Sequence, residues 1–161
     1  MIVVADTTPV NYLILIDRID LLERLYGRVI LPQAVREEMR RVSTPEKVRK
    51  WVDNLPSWVQ VHTQAAPQMP LNLGPGEREV IALAVHLEAD LVLMDDRKAR
   101  LAAIERGLTV TGTLAILAAA ARRGLEDLPA ALDDLQQTTF RAPASLIRSI
   151  LDSYRANKNS D

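Results

Sequence analysis

The chain has 161 residues, of which 48% are apolar and 25% are charged, a composition typical of one soluble globular domain. A formal net charge of −1 and a pI near 6.1 do not by themselves indicate a polyanionic partner. No apolar run approaches the roughly 20 residues of a bilayer span, and "MIVVADTTPV" lacks the features of a signal peptide, so we expect a cytoplasmic protein.

The first half of the chain alternates short strands with helices. "MIVVA" predicts a strand. Thr8 then supplies a capping hydroxyl with Pro9 at the first helical position, and this helix is predicted to break near Asp17 and to end at Gly27. "RVILP" predicts a second strand and "PQAVREEMRR" a helix. Ser43 and Glu46 predict a capping box for the next helix, "PEKVRKWVDNL", and "WVQVH" alternates like a short strand.

The second half continues this alternation after residues 63–76, which are rich in proline and glycine and predict a surface connection. In order follow the helix "EREVIALAVHLEA", the strand "DLVLM", the helix "RKARLAAIERG", the strand "LTVT" and the helix "TLAILAAAARRG". Two more helices are predicted near 128–135 and 144–154. We expect one domain over residues 1–155 and a disordered polar tail over 156–161.

Strands that alternate with helices of this length favour right-handed crossovers and a parallel sheet covered on both faces. The predicted fold class is therefore α/β, a three-layer α/β/α arrangement with a central parallel sheet. Ligands of such sheets bind beyond the carboxyl ends of the strands. Asp6 ends the first predicted strand, and Asp95 and Asp96 end a later one, so these acids point to one edge. The alternative for Asp6 is an Asx turn or cap shared with Thr7 and Thr8.

Two glutamates become candidates by helical angle, at about 100° per residue. Glu38 falls inside the apolar stripe of "PQAVREEM" and Glu37 points away; the alternative for Glu38 is a surface ion pair with Arg41. Glu77 shares a face with the apolar residues of "GEREVIALA", whereas Glu79 sits to the side. The alternative for Glu77 is stabilisation by the helix dipole alone.

A cluster of these acids needs a counter-charge. Two carboxylates ~4 Å apart repel by about 4 kcal/mol at an effective dielectric of about 20, whereas a helix cap contributes only ~1 kcal/mol. The absence of cysteine and the wide separation of His62 and His86 exclude sulfur ligands and disfavour a histidine site. Oxygen ligands favour Mg²⁺ or Mn²⁺, and such ions indicate phosphodiester chemistry.

The stretches "VVADTTPV", "ILPQAVREEM", "GPGEREVIALA" and "LVLMDDRKAR", in this order and with these gaps, resemble the PIN-domain nucleases, especially the toxin-type VapC-like branch. The resemblance covers the chain from about Ile2 to Gly124 and lies in the ordered set rather than in one motif. It implies a compact α/β domain whose acids hold Mg²⁺ or Mn²⁺ to hydrolyse RNA. It also implies a cognate antitoxin protein and a homodimer.

By position, the family's acids fall on Asp6, Glu38, Glu77 and Asp96, with Asp95 beside the last, and its hydroxyl falls on Thr7 or Thr8. Glu77 replaces the commoner aspartate, and the doubled aspartate replaces the usual Thr-x-Asp ending. The resulting hypothesis is a metal-dependent endoribonuclease acting on single-stranded RNA, the toxin of a type II toxin-antitoxin pair.

In this hypothesis the metal ligands are Asp6, Glu38, Glu77, Asp95 and Asp96. Thr8 orients Asp6 or water, and Arg41, Arg97 and Arg100 contact the RNA backbone. Basic residues cluster over 36–50 and 97–123, where solvated helix faces are the alternative. Two other functions stay open. A phosphotransfer domain is disfavoured because "TTP" follows Asp6 where a second aspartate is expected two residues on, and a non-catalytic PIN-like module would bind RNA or protein without cleaving it.

Overall fold

The computed structural model describes residues 1–65 and 69–160, and within these ranges it contains one five-stranded sheet. Every neighbouring pair is parallel, and the strand order is β3-β2-β1-β4-β5. The predicted class, a three-layer α/β/α fold with a central parallel sheet, is confirmed. The strands are β1 (Val3–Ala5), β2 (Val29–Pro32), β3 (Val59–His62), β4 (Leu91–Leu93) and β5 (Val110–Thr111).

All the predicted helices are present. They are α1 (Thr7–Leu15), α2 (Leu21–Tyr26), α3 (Gln33–Met39), α4 (Glu46–Asp53), α5 (Pro75–His86), α6 (Arg97–Glu105), α7 (Thr113–Arg122), α8 (Leu128–Gln136) and α9 (Ala144–Asn159). In the part of the chain that the structure describes, no helix is long and apolar enough to cross a membrane.

The chain divides into two compact units. The first, Met1–Thr113, contains the whole sheet and the helices α1 to α6; in the second, which starts at Leu114, α8 packs against α9. The single domain over residues 1–155 stays a prediction. Residues 156–159 of the predicted disordered tail belong to α9, and Asp161 lies outside the described residues.

Several helix boundaries differ from the predicted ones, and two of these differences concern the residues that cap a helix. α1 begins at Thr7 with Asp6 in the N-cap position, two residues before the predicted first helical position at Pro9, so the predicted cap at Thr8 is wrong. α4 has Pro45 as its N-cap and no side-chain cap hydrogen bond, so the predicted capping box of Ser43 and Glu46 is wrong. Proline fits this position because its backbone is already extended, but it supplies no side-chain acceptor.

The break predicted near Asp17 is confirmed, because Asp17 adopts a φ of 59°, a left-handed conformation that ends a helix. The connection predicted over residues 63–76 is described only in part, since residues 66–68 lie outside the described residues. Leu71 within it is exposed, as a surface connection requires, and Pro75 already forms the first position of α5.

The register of the central strands brings separate acids to one edge of the sheet. Ala5 pairs with Leu93, and the amide of Asp6 donates to the carbonyl of Leu93 at 2.8 Å. The chain runs outward from β1 to β3 on one side and returns to add β4 and β5 on the other, so β1 and β4 flank the topological switch point. Because α3 follows β2 at the same edge, its acids approach this crevice as well.

Candidate functional site

Asp6 is the most enclosed of the predicted acids, with 4% of its surface exposed. Burial raises the pKa of Asp6 to about 7; the backbone amide of Thr7 lowers it in part, and the charges of Glu77, Glu38 and Asp95 raise it further. Carboxylates from three other parts of the chain are therefore close enough to act on Asp6. This convergence is what the sequence predicted for the edge of the sheet.

Glu38 lies half-buried on α3, whereas its neighbour Glu37 is exposed, so the helical-angle prediction distinguished these two glutamates correctly. The hydroxyl of Thr7 donates to Oε2 of Glu38 at 3.1 Å. The sequence predicted this type of orienting hydroxyl but favoured Thr8. In the structure Thr7 is the first residue of α1, and its hydroxyl links α1 to α3.

Gly76 allows α5 to approach these two acids closely. A β-carbon on Gly76 would lie 2.8 Å from Oε2 of Glu38, 3.4 Å from Cγ2 of Val35 and 3.9 Å from Oδ1 of Asp6. The first distance is shorter than real Cβ contacts allow. The absence of a side chain at residue 76 thus leaves the Glu38 carboxylate in its position against the first turn of α5.

Glu77 follows directly and has two roles in the structure. Its Oε2 accepts a hydrogen bond from the amide of Gly74 at 3.1 Å, so the helix-terminus alternative is realised in part. Burial raises the pKa of Glu77, the amide of Gly74 lowers it, and the charges of Asp96 and Glu38 raise it. The capping interaction therefore holds Glu77 within reach of two other candidate acids.

The adjacent aspartates after β4 have different environments. Asp96 is the exposed N-cap of α6, and its Oδ2 accepts from the amide of Ala99 at 3.0 Å. Asp95 accepts two hydrogen bonds from Thr113, which is fully buried. The amide of Thr113 donates to Oδ1 of Asp95 at 2.8 Å, and the hydroxyl of Thr113 donates to Oδ2 at 2.5 Å. Both oxygens of Asp95 are thus engaged by the protein, which leaves Asp96 as the freer ligand.

The predicted basic residues are mostly surface residues. Arg41 and Arg97 are exposed, and Nη1 of Arg100 lies 2.9 Å from where a β-carbon on Gly112 would be. Three other basic residues of the cluster over 36–50 form exposed ion pairs, as expected for a helix face that contacts only solvent. These pairs are Arg40 with Asp53 at 3.0 Å, Lys47 with Asp17 at 2.5 Å and Lys50 with Glu46 at 3.2 Å.

Sequence reasoning missed Glu79. The helical angle placed it to the side of α5, yet it is buried, and it accepts from the amides of Ala34 at 2.6 Å and Gln64 at 2.9 Å. Pro32 carried a usable signal, because a proline in the N-cap position leaves the first amides of α3 without a side-chain acceptor.

The donor chemistry of this edge fits a hard divalent cation. All the converging side chains offer oxygen, the ligand atom that Mg²⁺ and Mn²⁺ prefer. Oxygens of Asp6 and Glu38 both lie within 4 Å of the position that a β-carbon on Gly76 would take. Within residues 1–65 and 69–160, no three His, Cys, Asp or Glu side chains already form a metal-binding group. The acid side chains would therefore have to move to bring three of them onto one ion.

We expect the substitution Gly76→Ala to weaken divalent-cation binding more than it affects stability. The new β-carbon collides with the mobile end of Glu38, so the carboxylate has to move, while alanine improves helix propensity by roughly 1 kcal/mol. Gly74→Ala is the matched control, because its β-carbon would meet only Oε2 of Glu77 at an ordinary 3.9 Å. Calorimetric titration with Mn²⁺ measures the difference; equal affinities for the two variants would contradict the close approach at Gly76.

Burial of Asp6 also predicts a pH-dependent stability in the presence of EDTA. Because the folded-state pKa of about 7 exceeds the ordinary value of 3.8, protonated Asp6 stabilises the fold fully at low pH, and this stability is lost as the pH rises through 7. Asp6→Asn removes the titration. Its advantage over the natural protein in free energy of unfolding should grow between pH 4 and 8, by about 2–4 kcal/mol. Urea unfolding at several pH values gives these free energies. If the free energy of unfolding changed with pH equally in Asp6→Asn and in the natural protein, the raised pKa of a buried Asp6 would be refuted.

Comparisons with known proteins agree with this geometry. A family model described as "DUF3368: PIN domain" matches residues 2–156, nearly the whole chain. A PilT N-terminus domain protein from the hyperthermophilic archaeon Sulfolobus solfataricus P2 has a similar solved structure, with a TM-score of 0.52 and 16% identity over 89% of this chain and 100% of the other. No curated protein matches. The family match over most of the sequence and the shared fold establish that the chain belongs to the PIN-domain family.

Proposed function

We propose that this protein is a Mg²⁺- or Mn²⁺-dependent endoribonuclease that hydrolyses phosphodiester bonds of single-stranded RNA. PIN domains are typically nucleases and generally use divalent metal ions. The observation that carries the proposal for this chain is the buried Asp6, whose pKa is raised by burial and by the charges of acids from α3, α5 and the end of β4. Capping accounts for a single hydrogen bond at Glu77 and at Asp96, but it does not explain why acids from four segments meet around a buried carboxyl.

In this proposal Asp6, Glu38, Glu77 and Asp96 hold the cation. A bound divalent ion neutralises phosphoryl oxygens and lowers the pKa of water. Thr7 fixes the orientation of the Glu38 carboxylate through its hydroxyl. Asp95 is retained close to the site, where its bonds to Thr113 fix the turn that presents Asp96.

The substrate assignment rests on charge and on access. The acids lie in a crevice at the sheet edge, so a flexible strand reaches them more easily than a stiff duplex does. The exposed Arg41 and Arg97, together with the half-buried Arg100, supply positive charge for the phosphates on either side of the cleaved bond. Such contacts position a backbone without reading its sequence.

The proposal extends to a cellular role as the toxin of a type II pair, restrained by a cognate antitoxin protein and active as a homodimer. Its support is the order and spacing of the four motifs in the sequence. A gene beside this one that encodes a short antitoxin-like chain would be the simplest additional support.

A non-catalytic PIN-like module that binds RNA or protein is the second candidate. Two observations favour it: the acids of the described residues do not already form a metal-binding group, and Glu77 is also used in capping α5. Such a module would keep its RNA affinity when Glu38 and Glu77 are changed to glutamine, and it would not require a metal.

We expect the purified protein to cleave single-stranded RNA with Mn²⁺ or Mg²⁺, and we expect EDTA to abolish the cleavage reversibly. Asp6→Asn should also abolish cleavage, because an amide cannot supply the negative oxygen that a hard cation requires. Gel analysis of a labelled RNA measures both effects. Since Asp6→Asn removes a buried charge, it should be at least as stable as the natural protein at pH 8, so unfolding cannot explain the loss.

Glu37→Gln is the control for this experiment. Glu37 is the exposed neighbour of Glu38, and its side chain accepts a hydrogen bond only from Gln33 among the bonds described, at 3.2 Å. The substitution removes one negative charge from the same helix and should leave cleavage unchanged. Full cleavage by Asp6→Asn, or cleavage in EDTA, would count against the nuclease.

A further inference from the structure

The first turn of α3 lacks a local cap. Its N-cap residue is Pro32, which makes no side-chain cap hydrogen bond, although the first amides of a helix need acceptors from outside the helix. Glu79 fills this role from α5, 45 residues away in sequence, because its Oε2 accepts from the amide of Ala34 at 2.6 Å. A carboxylate is a strong acceptor for such amides, and the positive end of the helix dipole favours it.

The second oxygen of Glu79 binds another segment. Its Oε1 accepts from the amide of Gln64 at 2.9 Å, two residues after the end of β3. Only 7% of Glu79 is exposed. A buried carboxylate is costly unless its oxygens are hydrogen-bonded, and here each oxygen binds the backbone of a different element. Glu79 therefore joins α5 to α3 and to the chain that leaves β3.

This link lies next to the candidate acids without being one of them. Glu79 is two residues after Glu77 on α5, and Ala34 is one helical turn before Glu38 on α3. Gly76, the residue before Glu77, lets the backbone of α5 lie close to the Glu38 carboxylate. Apolar packing sets the distance between two helices but resists sliding only weakly, whereas a hydrogen bond to one particular amide fixes their register.

We propose that Glu79 is a positioning residue, which caps α3 from α5 and thereby sets the spacing between the Glu38 and Glu77 carboxylates. The proposal rests on the proposed function only in that these carboxylates bind a divalent cation. Glu79 itself does not touch the cation or the RNA. Loss of the Glu79 carboxylate should change the spacing of the Glu38 and Glu77 carboxylates. The affinity for the cation should therefore fall more than the rate of the chemical step.

Glu79→Gln tests this with little change in volume. Glutamine keeps one acceptor oxygen but turns an NH₂ group toward an amide that needs an acceptor, so one of the two links must break. We expect Mn²⁺ affinity, measured by titration calorimetry, to fall by about 10- to 100-fold, as is typical when a residue that supports metal ligands is changed. Cleavage lost at low Mn²⁺ should return at high Mn²⁺. Glu37→Gln, with the same chemical change on the exposed face of α3, should show neither effect.

Amide hydrogen exchange in the natural protein gives a second measurement that requires no variant. The amide of Ala34 lies in the first turn of α3, where amides ordinarily exchange quickly, and Glu79 should make it and the amide of Gln64 slow to exchange. Rapid exchange of both amides would overturn the proposal, even if Glu79→Gln does not fold.

The outcomes separate this proposal from the nuclease assignment. If Glu79→Gln binds Mn²⁺ as tightly as the natural protein, Glu79 has no positioning role, whatever the RNA result. If affinity falls in Glu79→Gln while the natural protein binds Mn²⁺ but cleaves no RNA, the positioning role is supported and the nuclease is refuted.

Discussion

The burial of Asp6 among other carboxylates is the constraint on which this structure depends. Burial alone disfavours the charged form of Asp6, and the charges of Glu38, Glu77 and Asp95 disfavour it further. Repulsions of this kind amount to a few kcal/mol, which is a large part of the roughly 5–15 kcal/mol that keeps a domain folded. A fold that keeps such an arrangement gives up stability at neutral pH, and a cation among the acids would restore it.

The surrounding elements each oppose that repulsion in a way that fixes one acid. Thr7 donates to Glu38, Gly74 donates to Glu77, and Ala99 donates to Asp96. The backbone supplies two of these three bonds at helix starts, where amides are free to donate and the helix dipole favours negative charge. The acids are thus oriented by the protein itself, which is what a site that must accept a cation without large rearrangement requires.

Sequence reasoning could predict the sheet and the acid-bearing segments because both follow from local patterns. Short apolar runs separated by amphipathic stretches give a parallel sheet, and helical angle separated Glu38 from Glu37 on α3. The same reasoning placed Glu79 wrongly because it assumes one covered face per helix. In the structure α5 contacts α3 and α6 as well as three strands, so a residue beside the main apolar face is also buried. The hydrogen-bond partner of Asp95 is Thr113, which lies 18 residues later in the sequence. No local sequence pattern predicts a hydrogen bond between residues so far apart.

A crystal structure of the protein with Mn²⁺ tests the central claim most directly, because the anomalous scattering of manganese locates the ion independently of any assumed site. We expect a peak about 2.0–2.6 Å from a carboxylate oxygen of Asp6, with Glu38, Glu77 and Asp96 bound directly or through water. A map with no peak at Asp6 at millimolar Mn²⁺, or with manganese only on exposed acids elsewhere, would contradict the account.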